Sequence, residues 1–177
     1  MLLAAFVVLA LGSEQISAEV TPKFMNGVHF ACEASFETIV QDTAYYQGQP
    51  VAVSGSFTLY NWPDQSRLFV GMKLGISPDG TQWRAPANAY VVNGYRTNLS
   101  EQQAQSDAEN PGFRLFVYDP GGEETVNAIG RLSGEGLLHV AYTFEGGSMP
   151  MTFPIQLTEQ QTAAWGECID ALISRDG

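Results

Sequence analysis

Positive charge is scarce in this chain. Eight Lys and Arg stand against nineteen Asp and Glu, a formal net charge of −11 over 177 residues, and the basic side chains occur singly from Lys23 to Arg175. A surface of that sign repels phosphate backbones and anionic headgroups, which argues against nucleic acid or a membrane surface as a partner. The same acidity serves ordinary solubility. Histidine is limited to His29 and His139, and cysteine to Cys32 and Cys168. No "GxSxG" elbow, ordered calcium-loop spacing or helix-opening glycine cradle is present, so no catalytic motif, metal site or cofactor is expected.

Long apolar runs are also missing, apart from Met1 to Leu11 in "MLLAAFVVLALGSEQISAEV". That run is too short to span a bilayer, which takes ~20 residues. Followed by the small residues of "ISA", it has the form of a secretory signal cleaved after Ala18. Residues 1–18 are therefore read as a signal peptide and 19–177 as one domain. The mature chain is expected to be periplasmic or extracellular, with no membrane span.

An even cysteine count in an exported chain points to a disulfide. Val28, Phe30, Cys32, Ala34 and Phe36 alternate with His29, Ala31, Glu33, Ser35 and Glu37, the period of a strand with one apolar face. Trp165, Cys168, Ile169, Leu172 and Ile173 follow a helical stripe, with Thr158 and Gln161 set to form a capping box at its start. Both thiols thus fall on core faces, and a Cys32–Cys168 bond is expected. A metal pair or a reactive thiol is not, because no histidine is read at ligand spacing from either cysteine and both positions look buried. His29 and His139 alternate out of register with their strands' apolar faces and should point toward solvent.

The body of the chain reads as strands. "VAVSGSFTLY" sets Val51, Val53, Phe57 and Leu59 against Ser54, Ser56, Thr58 and Tyr60, and "LFVGMKLGI" alternates in the same way. "FRLFVYD", "TVNAIGRLSG", "LLHVAYTFEG" and "MTFPIQL" follow with short connections rich in Gly and Pro, as in a meander. Phe69, Phe116, Tyr118 and Ile129 are placed on outward positions, which implies that part of the second face is covered. The polar stretch "VVNGYRTNLSEQQAQSDAENPG" is a loop, or a loop with one helical turn capped by Ser100 and Gln103. The fold class is all-β: an antiparallel sandwich or closed barrel of about eight strands with one C-terminal α-helix.

"SPDGTQW" is built to turn, since Pro78 presets φ, Asp79 bonds its own backbone and Gly80 accepts positive φ. Over these seven residues it resembles the Ser-x-Asp-Gly…Trp hairpins of sialidase-type Asp-box repeats and discoidin-type modules. It departs from the Asp-box spacing before Gly80 and before Trp83. The resemblance implies a structural hairpin, with aspartate holding the turn and tryptophan packing beneath it.

Carboxylate pairs are the remaining catalytic candidates. Glu33 and Glu37 share a strand face, but four residues of strand set them ~13 Å apart, wider than either glycosidase geometry. A cross-strand partner such as Glu145 would be needed. Aromatic residues crowd the loops instead: Tyr45, Tyr46, Tyr60, Trp62, Trp83, Tyr90 and Tyr95. Flat apolar rings beside amides and carboxylates suit a sugar or protein surface, although loop aromatics also plug sandwich ends. The expected function is an exported, non-enzymatic β domain that binds a protein or carbohydrate partner through end loops. Trp62, Trp83, Tyr90 and Tyr95 are its ligand residues. The alternative is a small cell-envelope hydrolase with a carboxylate or histidine site assembled across strands.

Overall fold

A computed structural model describes residues 14–63, 68–92, 103–106, 110–118 and 121–174. Within them lie β1 (Glu14–Met25), β2 (Val28–Asp42), β3 (Gln49–Asn61), β4 (Leu68–Ser77), β5 (Asn88–Val91), β6 (Gln103–Ser106) and β7 (Arg114–Tyr118). They are followed by α1 (Glu123–Glu135), β8 (Leu137–Thr143), β9 (Met151–Gln156) and α2 (Glu159–Ser174). A six-stranded sheet runs in the order β1-β2-β3-β4-β7-β6, and a three-stranded sheet in the order β5-β8-β9. Every pairing is antiparallel and neither sheet closes, so the architecture is a sandwich and not a barrel.

Alternation dictates the layers. Ala34, Phe36 and Val40 of β2, Val53, Phe57 and Leu59 of β3, and Val70, Met72, Leu74 and Ile76 of β4 all turn to the inner face and are buried. The small sheet and α2 cover that face: Phe36 meets Phe153 edge-on at 6.4 Å, and Phe57 lies 6.1 Å from Trp165. Helix α2 starts with the expected box, the Thr158 N–H donating to Gln161 Oε1 at 2.8 Å and the Gln161 N–H to Thr158 Oγ1 at 3.3 Å. Its stripe buries Trp165, Cys168, Ile169 and Leu172. Ile173 is 52% exposed and lies off that stripe. The Cys32–Cys168 bond is present and ties β2 to α2. No helix among the described residues is long and apolar enough to cross a membrane.

Four expectations need correction. "TVNAIGRLSG" is not a strand but most of α1, which ends at Gly136 in the left-handed region, φ 65°. Thr125, Ala128 and Leu132 are buried at helical spacing, and Ile129 completes the stripe half-buried. Gln103 belongs to β6 and not to a capped helical turn; most of the neighbouring polar stretch, Ser100 included, lies outside the described residues. Strand β7 has the opposite phase to that expected: Phe116 and Tyr118 face the core, while Leu115 and Val117 look outward half-buried. The Tyr118 hydroxyl is satisfied there by Ala89 O at 2.6 Å. The fourth concerns His29 and belongs to the site.

Strand β1 begins at Glu14, so the expected cleavage point after Ala18 falls inside a paired strand. Glu14 to Ala18 pair with Ile39 to Phe36. Gln15 also reaches the edge of β9, donating from Nε2 to Gln156 O at 2.6 Å and accepting the Gln156 N–H on Oε1 at 2.7 Å.

Candidate functional site

The outer face of the six-stranded sheet carries a run of polar residues along β2 and β3. Cross-strand register places Glu33 beside Thr58, Ser35 beside Ser56 and Glu37 beside Ser54, and then Ser56 beside Lys73. Ser35, Ser54 and Ser56 form the floor of an open groove of about 270 Å³, walled by Glu33, Lys73, Asn110 and Phe113. Glu33 is paired with Lys23 of β1 at 2.8 Å. Lys73 reaches over the Phe113 ring, 5.5 Å from its centroid. The groove therefore offers hydroxyls, one carboxylate and one ammonium group, without a strong charge of either sign.

Aromatic groups stand at both ends. At one, Trp62 packs at 4.8 Å from Phe30 and lies parallel to Tyr60 at 6.1 Å. Burial pushes the Tyr60 phenol above its ordinary pKa; a hydrogen bond with Thr58 opposes this, and the Glu33 carboxylate adds to it. At the other end Trp83 packs on Phe113 at 5.2 Å. The Phe113 ring lies directly over Gly75, where any Cβ would come within 2.7 Å of it. Trp83 closes on the backbone of Gly112 in the same way. Glycine at 75 and 112 thus lets the loop before β7 fold down as the wall of the groove. From Tyr60 to Ser54, opposite Gly75, is six residues of β3, a run of ~20 Å.

"SPDGTQW" backs one of those walls, since its Trp83 packs on Phe113. Asp79 Oδ1 accepts the N–H groups of Thr81 and Gln82, each at 2.8 Å, and the Ser77 hydroxyl at 3.1 Å, while Gly80 takes φ 71°. These donors, the two backbone N–H groups foremost, lower the Asp79 pKa to about 2. The aspartate holds the turn, as the hairpin resemblance implies. The tryptophan packs sideways on Phe113 and not beneath the turn.

Of the expected ligand residues, Trp62 and Trp83 are half-buried and flank one sheet face from opposite ends. Tyr90 does not join them: it sits on β5 at 3% exposure, inside the core. Tyr95 lies outside the described residues. Tyr45 and Tyr46 plug the sandwich instead, packing edge-on against Phe144 while Tyr45 donates to Met149 O at 2.7 Å. Ser35, Ser54, Ser56, Lys73, Asn110 and Phe113 were not singled out from sequence. Their polar alternation along β2 and β3 is visible there, but which strands lie side by side is not.

His29 is not where the sequence pattern puts it. A β-bulge on β2 leaves Phe30 between the pairs Phe24–His29 and Lys23–Ala31, which shifts the phase by one residue. Phe30 turns out to stack on Trp62, and His29 turns in. Its Nε2 stands 3.5 Å from Cys32 Sγ, 3.4 Å from Cys168 Sγ and 3.1 Å from Ala31 O. The three side chains form a compact Cys, Cys, His cluster whose ligand atoms all lie within 4.8 Å of one another. His139 is half-buried on β8, accepting on Nδ1 from Arg131 at 3.3 Å. Burial, then the Arg131 charge, holds its pKa below the usual value, with Glu135 opposing.

No family model matches the chain, and comparison with curated proteins and with solved structures yields no match either.

Proposed function

We propose that the protein is an exported, non-enzymatic binding module that holds a neutral glycan along the outer face of the six-stranded sheet. The observation that carries this reading is the groove and the sheet face around it: a serine floor, the Glu33 carboxylate and Lys73 at its side, Phe113 as an aromatic wall backed by Trp83, and Trp62 further along β3. A sugar chain presents hydroxyls to the floor and its apolar ring faces to Trp62 and Trp83. A protein partner of ordinary affinity wants an apolar centre, and this face has small polar residues there. The site thus lies on the sheet face between the aromatic ends and not in the end loops alone. The apolar leader and the Cys32–Cys168 bond support export to an oxidising compartment.

The hydrolase alternative gains nothing from the geometry. Among the described residues that line the groove Glu33 is the one carboxylate, and it is already held by Lys23. His29 and His139 lie elsewhere.

Titration of the protein with a panel of neutral oligosaccharides, followed by calorimetry and amide chemical shifts, tests the proposal. Binding should shift Ser35, Ser54, Ser56 and Lys73, and Trp62→Ala should weaken it roughly tenfold, about 1.4 kcal/mol. Shifts confined to another face, or turnover of the oligosaccharides, would replace this reading with another.

A further inference from the structure

We infer that reduction converts the Cys32–Cys168 staple into a binding site for a thiophilic divalent cation of the zinc type, with His29 as the third ligand. A tetrahedral zinc centre has Zn–S near 2.3 Å and Zn–N near 2.0 Å, which places nitrogen and sulfur ligands about 3.5 Å apart and two sulfurs about 3.8 Å apart. His29 Nε2 is 3.5 Å from Cys32 Sγ and 3.4 Å from Cys168 Sγ. The nitrogen already stands at ligand spacing from both sulfurs. Only the sulfurs have to separate, and with their Cα atoms 5.9 Å apart, rotation about the Cα–Cβ bonds supplies that movement.

The β-bulge gives the arrangement its meaning. A regular strand would send His29 to the opposite face from Cys32; the extra residue Phe30 brings the imidazole onto the disulfide. The two cysteines are buried, and the cluster meets the surface on its His29 side. Phe24, stacked on the imidazole at 5.2 Å, is 61% exposed, and His29 is itself half-buried. A fourth position can open there to solvent.

The chemistry balances with a dithiol as reductant. The dithiol delivers two electrons and two protons to the S–S bond, becomes a disulfide itself, and leaves Cys32 and Cys168 as thiols. The cation then takes two thiolates, and both protons pass to water, so affinity falls as pH falls. Nε2 must bind in its unprotonated form, with the ring proton on Nδ1, and Nε2 thereby gives up its contact to Ala31 O. The ion links β2 to α2 where the disulfide did. The fold therefore keeps a cross-link at this point in either redox state.

Cobalt(II) titration of the reduced protein, with a phosphine as the laboratory reductant, tests the inference. Thiolate-to-cobalt absorption should saturate at one ion per chain in the reduced protein and be absent from the oxidised one. Zn2+ should displace the cobalt and raise the melting temperature of the reduced form alone. His29→Ala keeps both cysteines and the disulfide, so its oxidised melting temperature checks its folding; its reduced form should bind more than ~tenfold more weakly. If the reduced protein unfolds, Zn2+ should restore a cooperative melt to the parent and not to His29→Ala. Absence of the charge-transfer band, or equal affinity in parent and His29→Ala, overturns the inference.

Discussion

Tyr142 on β8 donates its hydroxyl to the buried carboxylate of Asp42 at the end of β2, a hundred residues away, and so bonds the small sheet to the large one. The other oxygen, Oδ1, accepts the N–H groups of Ala44 and Tyr45 at 2.8 and 2.7 Å and shapes the turn into β3. One carboxylate thus orders a turn and joins two layers. Tyr142→Phe leaves Oδ2 buried without a donor and should cost ~1–3 kcal/mol, a fall of several degrees in melting temperature. Asp42→Asn keeps the shape and should cost less than Asp42→Ala.

Alkaline stability should follow the same pair. Burial, then the hydrogen bond to Asp42 and its charge, raises the Tyr142 pKa well above 10.0, and burial raises Tyr118 likewise. A raised folded pKa means that the stabilisation is complete below the unfolded value near 10 and is lost as pH climbs above it. Denaturant midpoints measured from pH 9 upward should fall beyond about pH 10. In Tyr142→Phe the slope should be shallower.

At the acid end Asp79 is the group to follow. Its folded pKa of about 2 lies below the ordinary 3.8, so its contribution is present above 3.8 and lost as pH drops toward 2. Carboxyl chemical shifts should place its midpoint near 2. Asp79→Ala should remove that titration and loosen Thr81 and Gln82, seen as faster amide exchange. A midpoint at 3.8 would mean that the turn is not held by this side chain.

Removal of residues 14–18 should destabilise the domain. A chain starting at Glu19 loses the β1 pairs from Glu14 to Ala18 and the Gln15 clamp on Gln156. It should melt several degrees below a chain starting at Ser13, by comparison of the two purified proteins. Equal melting temperatures would show that this end of β1 contributes nothing.

Sequence periodicity was a good guide where one face is buried and the other wet. Strands β3 and β4 and the α2 stripe with its Thr158–Gln161 box follow the pattern directly, and the two cysteines meet as their faces require. It misled where residue type competes with spacing. Val126, Ile129 and two glycines make α1 look like strand and turn, and β7 is apolar on both faces, so its phase is ambiguous. Strand β1 hid behind the leader reading. Asn26 and Gly27, with φ of 53° and 80°, form the two-residue hairpin turn that could have revealed it. The groove was legible only in halves. Ser54, Ser56 and Trp62 stand out along β3, but their alignment with Glu33, Lys73 and Phe113 is a matter of long-range register. The bulge at Phe30, which moves His29, leaves no mark in the alternation.

The bond between Cys32 and Cys168 spans 136 residues and joins the second strand to the final helix. Translation releases Cys32 136 residues before Cys168, and between them the sequence holds no other cysteine with which it could mispair. Oxidation can follow only when α2 has emerged and docked across β2. Bond formation is thus a report of completion: a chain truncated or stalled before Cys168 keeps a free thiol, and that thiol is a handle by which thiol oxidoreductases can tell finished molecules from unfinished ones.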